Sequence, residues 1–333
     1  MADDLFSVGE ALDDADDALL SGHQAASRVY ATGFGLLDTY LGGGLRGGEL
    51  CLLGGPQGLG KTAFVLQIAR HAAMVDEAAV VMSYEHDATT LLERLITIEA
   101  GDTFGLDGTP MRRVRDALEG AGPRQATLEE RLVTTVGGAE AVVALRAYGH
   151  RLLLHRSSGT ATGVAEIRAV VESAIERSGR TPLVIVDYLQ KVHVAGRLTD
   201  EEQASEVVAG LKDIALEFDV PVLAVAAAEM TGLAPGRRLR VNHLRGSATL
   251  AYEPDVILIM NEKVDVVARH HLVYDTRAMD RYRDYVVLTI EKNRSGLAKI
   301  DLQLRKRLEQ SRFERDLESV TEDLVEERIT PDS

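Results

Sequence analysis

Short runs of consecutive apolar residues alternate along the chain with stretches in which apolar positions recur every three or four residues. Eight runs read as strands: ELCLLGG (49–55), AAVVMSYE (78–85), RLLLHR (151–156), PLVIVDYL (182–189), VPVLAVAAA (220–228), DVILIM (255–260), YVVLTIEK (285–292) and KIDLQLR (299–305). The earlier runs are continuously apolar and separated by helical patterns, as a parallel sheet buried on both faces requires. The last two alternate polar and apolar residues, which predicts an antiparallel edge or hairpin. One helix face is clear between them, carrying Ala204, Val207, Val208, Leu211, Ile214, Ala215 and Phe218. Near the N-terminus, Ser7 with Glu10 three residues on is a capping-box signal. Val8, Leu12, Ala15 and Leu19 then predict a short helix with a narrow apolar seam, marginal on its own. The expected fold is α/β: a mostly parallel central sheet flanked by helices, with an antiparallel C-terminal edge. The expected organisation is an acidic segment over 1–30, the sheet domain over 31–313 and an acidic, solubilising tail over 314–333.

Composition changes this picture in two ways. At 333 residues and 45% hydrophobic content the chain can fill a sizeable core. Its single cysteine, Cys51, lies inside an apolar run, so it reads as a buried, inert thiol, and a structural zinc is not expected. The histidines show no metal-ligand spacing. An acidic N-terminus where a signal peptide would be basic, and no apolar stretch of membrane-spanning length, lead to the expectation of a soluble cytoplasmic protein with no membrane partner. The net charge of −15 is concentrated at the ends: residues 1–30 hold seven acids against one arginine and residues 314–333 hold eight against two. Residues 31–313 carry only −3, so a phosphate backbone is not excluded as a partner.

The chemistry is densest at GPQGLGKT, comprising Gly55, Pro56, Gln57, Gly58, Leu59, Gly60, Lys61 and Thr62. It fits G-x-x-x-x-G-K-[ST], with an apolar strand before it and a helical pattern, AFVLQIARHAAM, after it. In such a loop the backbone N–H groups curl around phosphate oxygens, Lys61 reaches the β- and γ-phosphates of ATP, and Thr62 can ligate Mg²⁺. Asp187 ends the run LVIVD, where P-loop NTPases place the acid that helps hold Mg²⁺; it could also simply cap the next segment. Glu85 ends the second main strand and is the candidate base or water-orienting group, the alternative being an N-cap for the helix that follows.

With their neighbours, these residues resemble the C-terminal ATPase domain of the DnaB family of replicative helicases, over about residues 31–313. The resemblance is carried by TGFGLLDTYLGGGLRGGEL, GKTAFVLQIA, SYE, VDYLQ, LKDIALEFDVPVLAV, HLRGSA and EKNRSG, in that order. It implies a RecA-like P-loop NTPase that assembles as a homo-oligomeric, hexameric ring, binds ATP and Mg²⁺ between subunits and moves on single-stranded DNA. Lys61, Thr62, Glu85 and Asp187 match the family's P-loop, base and Mg²⁺ positions. Lys292 and Arg294 match its basic pair, which reaches the neighbouring subunit's ATP, although a solvated charge on an edge strand is the plainer reading. HLRGSA resembles the family's DNA-tracking loop, where an arginine and backbone amides follow the phosphates: Arg245 matches, while Gly246 stands where the family has a glutamate and Ala248 where it has a second glycine. With Arg237, Arg238 and Arg240, Arg245 belongs to a stretch from Thr231 to Arg245 that has four arginines and no acid.

Two departures stand out. Where the family usually has Ser-Gln-Leu at the end of a strand, its glutamine sensing the γ-phosphate, this chain has Ala226, Ala227 and Ala228. Only an acidic segment of about thirty residues precedes the core, so a helical collar and a primase contact through it are not supported. The resemblance therefore implies either an ATP-dependent DNA helicase or translocase, or an ATP-binding ring or scaffold whose nucleotide state controls assembly or partner recruitment. A RecA-type recombinase or clock-type ATPase shares the expected fold but leaves DYLQ and KNR unexplained.

Overall fold

The structure is a computed structural model that describes residues 6–22, 26–120, 125–196, 198–229, 236–273 and 276–327. Twelve strands occur among the described residues, in chain order: β1 Val29–Tyr30, β2 Leu45–Arg46, β3 Leu50–Gly55, β4 Ala78–Ser83, β5 Leu152–Arg156, β6 Pro182–Asp187, β7 Val222–Ala227, β8 Val256–Glu262, β9 Tyr285–Asn293, β10 Ile300–Arg307, β11 Arg312–Phe313 and β12 Glu318–Ser319. All eight predicted runs are strands. The main sheet has the order β11-β10-β9-β8-β3-β7-β6-β4-β5, with β12 also pairing β10. From β8 through β5 the neighbours are parallel, and β9, β10, β11 and β12 join antiparallel, as the alternating runs predicted.

Helices cover both faces. They are α1 Val8–Leu20, α2 Gly35–Tyr40, α3 Lys61–Met74, α4 Ala88–Phe104, α5 Met111–Leu118, α6 Leu128–Leu132, α7 Gly138–Tyr148, α8 Val164–Ser178, α9 Asp200–Phe218 and α10 Ser247–Tyr252, with short helical turns beyond. Although the strands are apolar throughout, their residues divide by parity between two cores. Leu53, Val81, Ile185 and Val225 pack with Phe64, Ile68 and Leu95 of α3 and α4. Leu52, Val80, Val184 and Ala224 pack with Ile167, Val208 and Leu211 of α8 and α9. This alternation is the two-residue period of a strand, hidden in the sequence because both faces are dry. A third cluster joins Ile96 and Ala100 of α4 to Val114, Leu132, Ala141 and Val142 of α5, α6 and α7.

The N-terminal helix forms with the predicted cap. Ser7 Oγ accepts the N–H of Glu10, and Glu10 accepts the N–H of Ser7. None of its residues is buried: Val8, Leu12 and Leu19 are 61–79% exposed, leaving the seam without a packing partner among the described residues.

The C-terminal acidic stretch departs from the solubilising tail expected of it. Residues 314–327 belong to the sheet domain's edge: Leu317 is buried, Ser319 pairs with Leu302, and Val325 donates its N–H to the Val266 carbonyl. The acids act here as counter-ions. Glu322 accepts a 2.7 Å bond from Lys263, a nearly fully buried ammonium, and Glu326 meets Arg240. No helix among the described residues is long and apolar enough to cross a membrane.

Candidate nucleotide site and arginine segment

The parallel register brings the carboxyl ends of four strands side by side. Gly55 of β3 lies opposite Ala227 of β7, Asp187 of β6 opposite Val225 of β7, and Ser83 of β4 opposite Asp187. Ligands of open α/β sheets bind outside such ends. A cleft of about 560 Å³ opens there, lined by Gly55, Gln57, Gly58, Gly60, Lys61, Thr62, Glu85, His86, Arg94, Asp187, Ala227 and Ala228 among others. Glycine is required locally. Gly58 and Gly60 have φ of +80° and +91°, and a Cβ on Gly60 would come within 2.9 Å of the Phe313 ring.

Within the cleft Lys61 Nζ donates to the carbonyls of Gly55 and Pro56, both at 2.7 Å, so its head is folded back along its own loop. Burial pushes its pKa down to about 8, opposed by the negative charges of Asp187 and Glu85. Thr62 Oγ1 donates to Asp187 Oδ2 at 2.7 Å. Asp187 is buried, which raises its pKa, and the Thr62 hydroxyl partly offsets this. The alternative role for Asp187, capping the next segment, has no bond behind it among those described. Glu85 is not the N-cap of α4 either, because Asp87 takes that place, its Oδ1 accepting the Thr90 N–H at 2.8 Å. The Glu85 carboxylate instead projects into the cleft and meets Lys191 Nζ at 3.6 Å.

Several cleft residues were not singled out from the sequence. Arg94, on the first turns of α4, donates to Ser311 Oγ at 3.2 Å, while its Nε is buried without a hydrogen-bond partner among the described residues. Burial lowers its pKa. His86 is half-buried beside it and held below its ordinary pKa by desolvation and by Arg94. Only the helical spacing from Glu85 could have flagged Arg94: a residue two turns into α4 faces back to the strand end.

This donor set fits a triphosphate with a divalent cation: a glycine cradle, a partly desolvated lysine, an arginine with an orphaned N–H, and a hydroxyl paired with a buried carboxylate. The sequence model of the family described as "DnaB-like helicase C terminal domain" matches residues 30–112 and 138–315. The chain belongs to that family. Its relatives include the "Replicative DNA helicase DnaC" of Bacillus subtilis, 26% identical over 233 residues, which cover 69% of this chain and 46% of the relative. The "Replicative DNA helicase DnaB" of Leifsonia xyli is 27% identical over 252 residues, covering 74% of this chain and 50% of the relative. The chain thus spans about half the length of these relatives. Among solved structures, one described as an "ATPase Domain" superposes with a TM-score of 0.71 at 22% identity, covering 93% of this chain and 99% of that one. A structure of "A DnaB-Like Replicative Helicase And Its Interactions With Primase" gives 0.70 at 20% identity, covering 92% and 68%. These likenesses establish the RecA-like fold. Residues 113–137, which carry most of α5 and all of α6, fall outside the family match.

Lys292 and Arg294, expected from the sequence to be a basic pair serving a neighbouring site, lie away from this chain's own cleft. Asn293 pairs with Val256, which pairs with Cys51, so Lys292 and Arg294 sit at the end of the sheet opposite Gly55. Lys292 Nζ donates to the carbonyls of Ala251 and Tyr252, and Arg294 to Tyr252 and Asp255.

The arginine segment differs from the expected basic stripe. Residues 230–235 lie outside the described residues. Arg238 is turned inward, 4% exposed, and bonds Thr289 Oγ1 at 3.0 Å and Asp301. Arg240 is held between Glu291 and Glu326, and the exposed Arg245 pairs with Asp200 at 2.7 Å. Arg237 is exposed. Gly246, with φ of +86°, is buried against Ala204 of α9. Breaking a buried ion pair costs about 3–5 kcal/mol, which removes Arg238 from the set available to a ligand. An exposed pair such as Arg245 with Asp200 is weak and screened, so Arg245 can exchange its carboxylate for another anion.

One grouping that the sequence spacing did not mark brings two histidines and an acid together. His270, His271 and Asp323 place ligand atoms within 4.8 Å of one another. All three are at the surface, and His271 Nε2, the lone pair a metal would take, already accepts the N–H of Asp323.

Proposed function

We propose that this chain is the ATPase core of a DnaB-type ring that hydrolyses ATP between subunits and couples it to single-stranded DNA in the channel. The observation that carries this reading is the gathering of Lys61, Thr62, Glu85 and Asp187 at adjacent strand ends in a chain of this family. The backbone amides of the loop and Lys61 hold the phosphates, and Thr62 and Asp187 hold Mg²⁺. Once bound, Mg²⁺ supplies charge neutralisation at the phosphate oxygens. Glu85 takes the proton of the attacking water while the bond to the departing ADP oxygen breaks. Arg94 stands in the same cleft as a cation in cis, and Lys292 with Arg294 serves the neighbour's site in trans. A ring gives both the open seam of α1 and the distant basic pair a partner. Arg245, weakly held, and Arg237 contact the DNA backbone.

The test is steady-state ATP hydrolysis with and without single-stranded DNA at two salt concentrations, with Lys61→Ala as the blank. A DNA-stimulated rate that falls with salt is expected. For the trans assignment, Arg294→Ala and Glu85→Ala should each be inactive alone and recover part of the activity when mixed; no recovery in any mixture refutes it.

A second reading, an ATP-binding scaffold that does not unwind DNA, draws on the ion-paired arginines and on the alanine methyls where a phosphate sensor is expected. It predicts slow hydrolysis indifferent to DNA.

A further inference from the structure

Ala227 has no side chain with which to report on a phosphate, yet its backbone is tied to the arginine segment. Its carbonyl accepts the N–H of Arg245 at 3.1 Å, and two residues on, Glu229 N–H donates to the His243 carbonyl at 2.8 Å. The segment from His243 to Arg245 is thus a short antiparallel extension of the end of β7. One side chain closes this junction. Gln190 Oε1 accepts the N–H of Ala227 at 2.9 Å, and its Nε2 donates to the Arg245 carbonyl at 3.1 Å.

Gln190 lies in the 3₁₀ turn Leu189–Lys191, directly after Asp187 and Tyr188. Its neighbour Lys191 is the residue that meets Glu85 at 3.6 Å, with its ammonium over the Tyr188 ring at 5.3 Å. A single three-residue turn therefore touches the hydrolytic carboxylate on one side and the arginine segment on the other. The turn is stiff. Leu189 and Val192 are fully buried, and Gln203 of α9 donates to the carbonyls of Gln190 and Val192 at 3.4 and 3.2 Å. The same helix begins at Asp200, the partner of Arg245.

We propose that Gln190 is a positioning residue that transmits the state of the nucleotide cleft to the Arg245 segment, through the turn it shares with Lys191. The proposal rests on the reading of the cleft as an ATP site. When Glu85 accepts from the attacking water beside the γ-phosphate, it exchanges Lys191 for a new partner. The turn then shifts as a unit because its ends are packed, and Gln190 carries the shift to Ala227 and Arg245 together. A glutamine is suited to this because one amide accepts from one strand and donates to the next.

The test is hydrogen–deuterium exchange of residues 241–246 in the full chain without DNA, comparing free protein with protein saturated by a non-hydrolysable ATP analogue and Mg²⁺, alongside a separate measurement of analogue affinity. The wild type should show a nucleotide-dependent difference in exchange. Gln190→Ala should retain analogue binding and lose that difference, and Gln190→Glu, which keeps the acceptor but not the amide donor, should lose it too. A purely packing role would raise exchange equally in both states and leave the difference intact. Persistence of the difference in both variants, or its absence from a wild type that binds the analogue, overturns the proposal. A wild type that does not bind the analogue instead refutes the ATP reading of the cleft, and the transmission with it.

Discussion

The nucleotide cleft and the arginine segment meet at the same strand end, and they treat charge in opposite ways. In the cleft, Lys61 leans on backbone carbonyls and Arg94 on the Ser311 hydroxyl, neither with an ion-paired carboxylate among the described residues, so the cations are under-compensated and await an anion. In the segment, Arg238, Arg240 and Arg245 each meet a carboxylate from a distant part of the chain: Asp301, Glu291 with Glu326, and Asp200. A cluster of like charges in sequence is therefore a poor guide to a ligand surface when the fold can bring acids to it. A loop that curls its own amides around a cavity is a good one, because the geometry is local.

The largest expected effect belongs to the cleft. Lys61→Ala or Glu85→Gln should lower ATP turnover by about 10²-fold or more, and Glu85→Gln should leave analogue binding in place. Equal loss of binding in both would remove the distinction between phosphate holder and base.

Next comes Arg238. Its replacement by alanine should leave Asp301 and Thr289 without their buried partner and destabilise the fold by about 3 kcal/mol in urea unfolding, the scale for breaking a buried pair. Single-stranded DNA affinity measured in the folded range should not change. A selective loss of DNA binding with unchanged stability would return Arg238 to the ligand surface.

The pH dependence of nucleotide affinity is more modest. Phosphate binding favours charged Lys61, whose pKa in the free protein is about 8. Below that pH the charge is already present; above it binding must take up a proton, so affinity should fall by up to about tenfold per pH unit. Calorimetry above pH 8 in buffers of different ionisation enthalpy measures this uptake directly, and the dependence should vanish in Lys61→Arg.

The smallest effect tests the weak pair. Asp200→Asn should free Arg245 and strengthen single-stranded DNA binding by a few-fold at low salt, with a steeper salt dependence by roughly one counterion. A flat response would mean that Arg245 does not face DNA.

The strands and the main cleft residues were legible because each is specified within a few residues: an apolar run, a glycine-rich turn, an acid at a strand's end. The short strands β1, β2, β11 and β12 were not, since two residues carry no period. Arg94 escaped notice because nothing in the sequence marks which face of its helix turns back to the strand end, and Lys191 because only the register of β4 against β6 brings its turn to Glu85. Gln190 stands within DYLQ, but its two partners lie 37 and 55 positions away in sequence. The acidic C-terminal stretch looked like a solvated tail because nothing in its composition names Lys263 or Arg240 as partners.

That last segment has a consequence for how the chain is made. Lys263 is buried near β10, where the rings of Tyr282 and Tyr285 and the amide of Gln303 meet its ammonium, but among the described residues its carboxylate partner is Glu322, synthesised later. Arg240 already has Glu291 and gains its second carboxylate only with Glu326. The parallel half of the sheet can close while the ribosome is still translating, but the antiparallel edge lacks the counter-ion of Lys263 and the second one of Arg240 until those late acids emerge. The nascent protein should therefore pass through a stage with a closed parallel sheet and an edge short of negative charge.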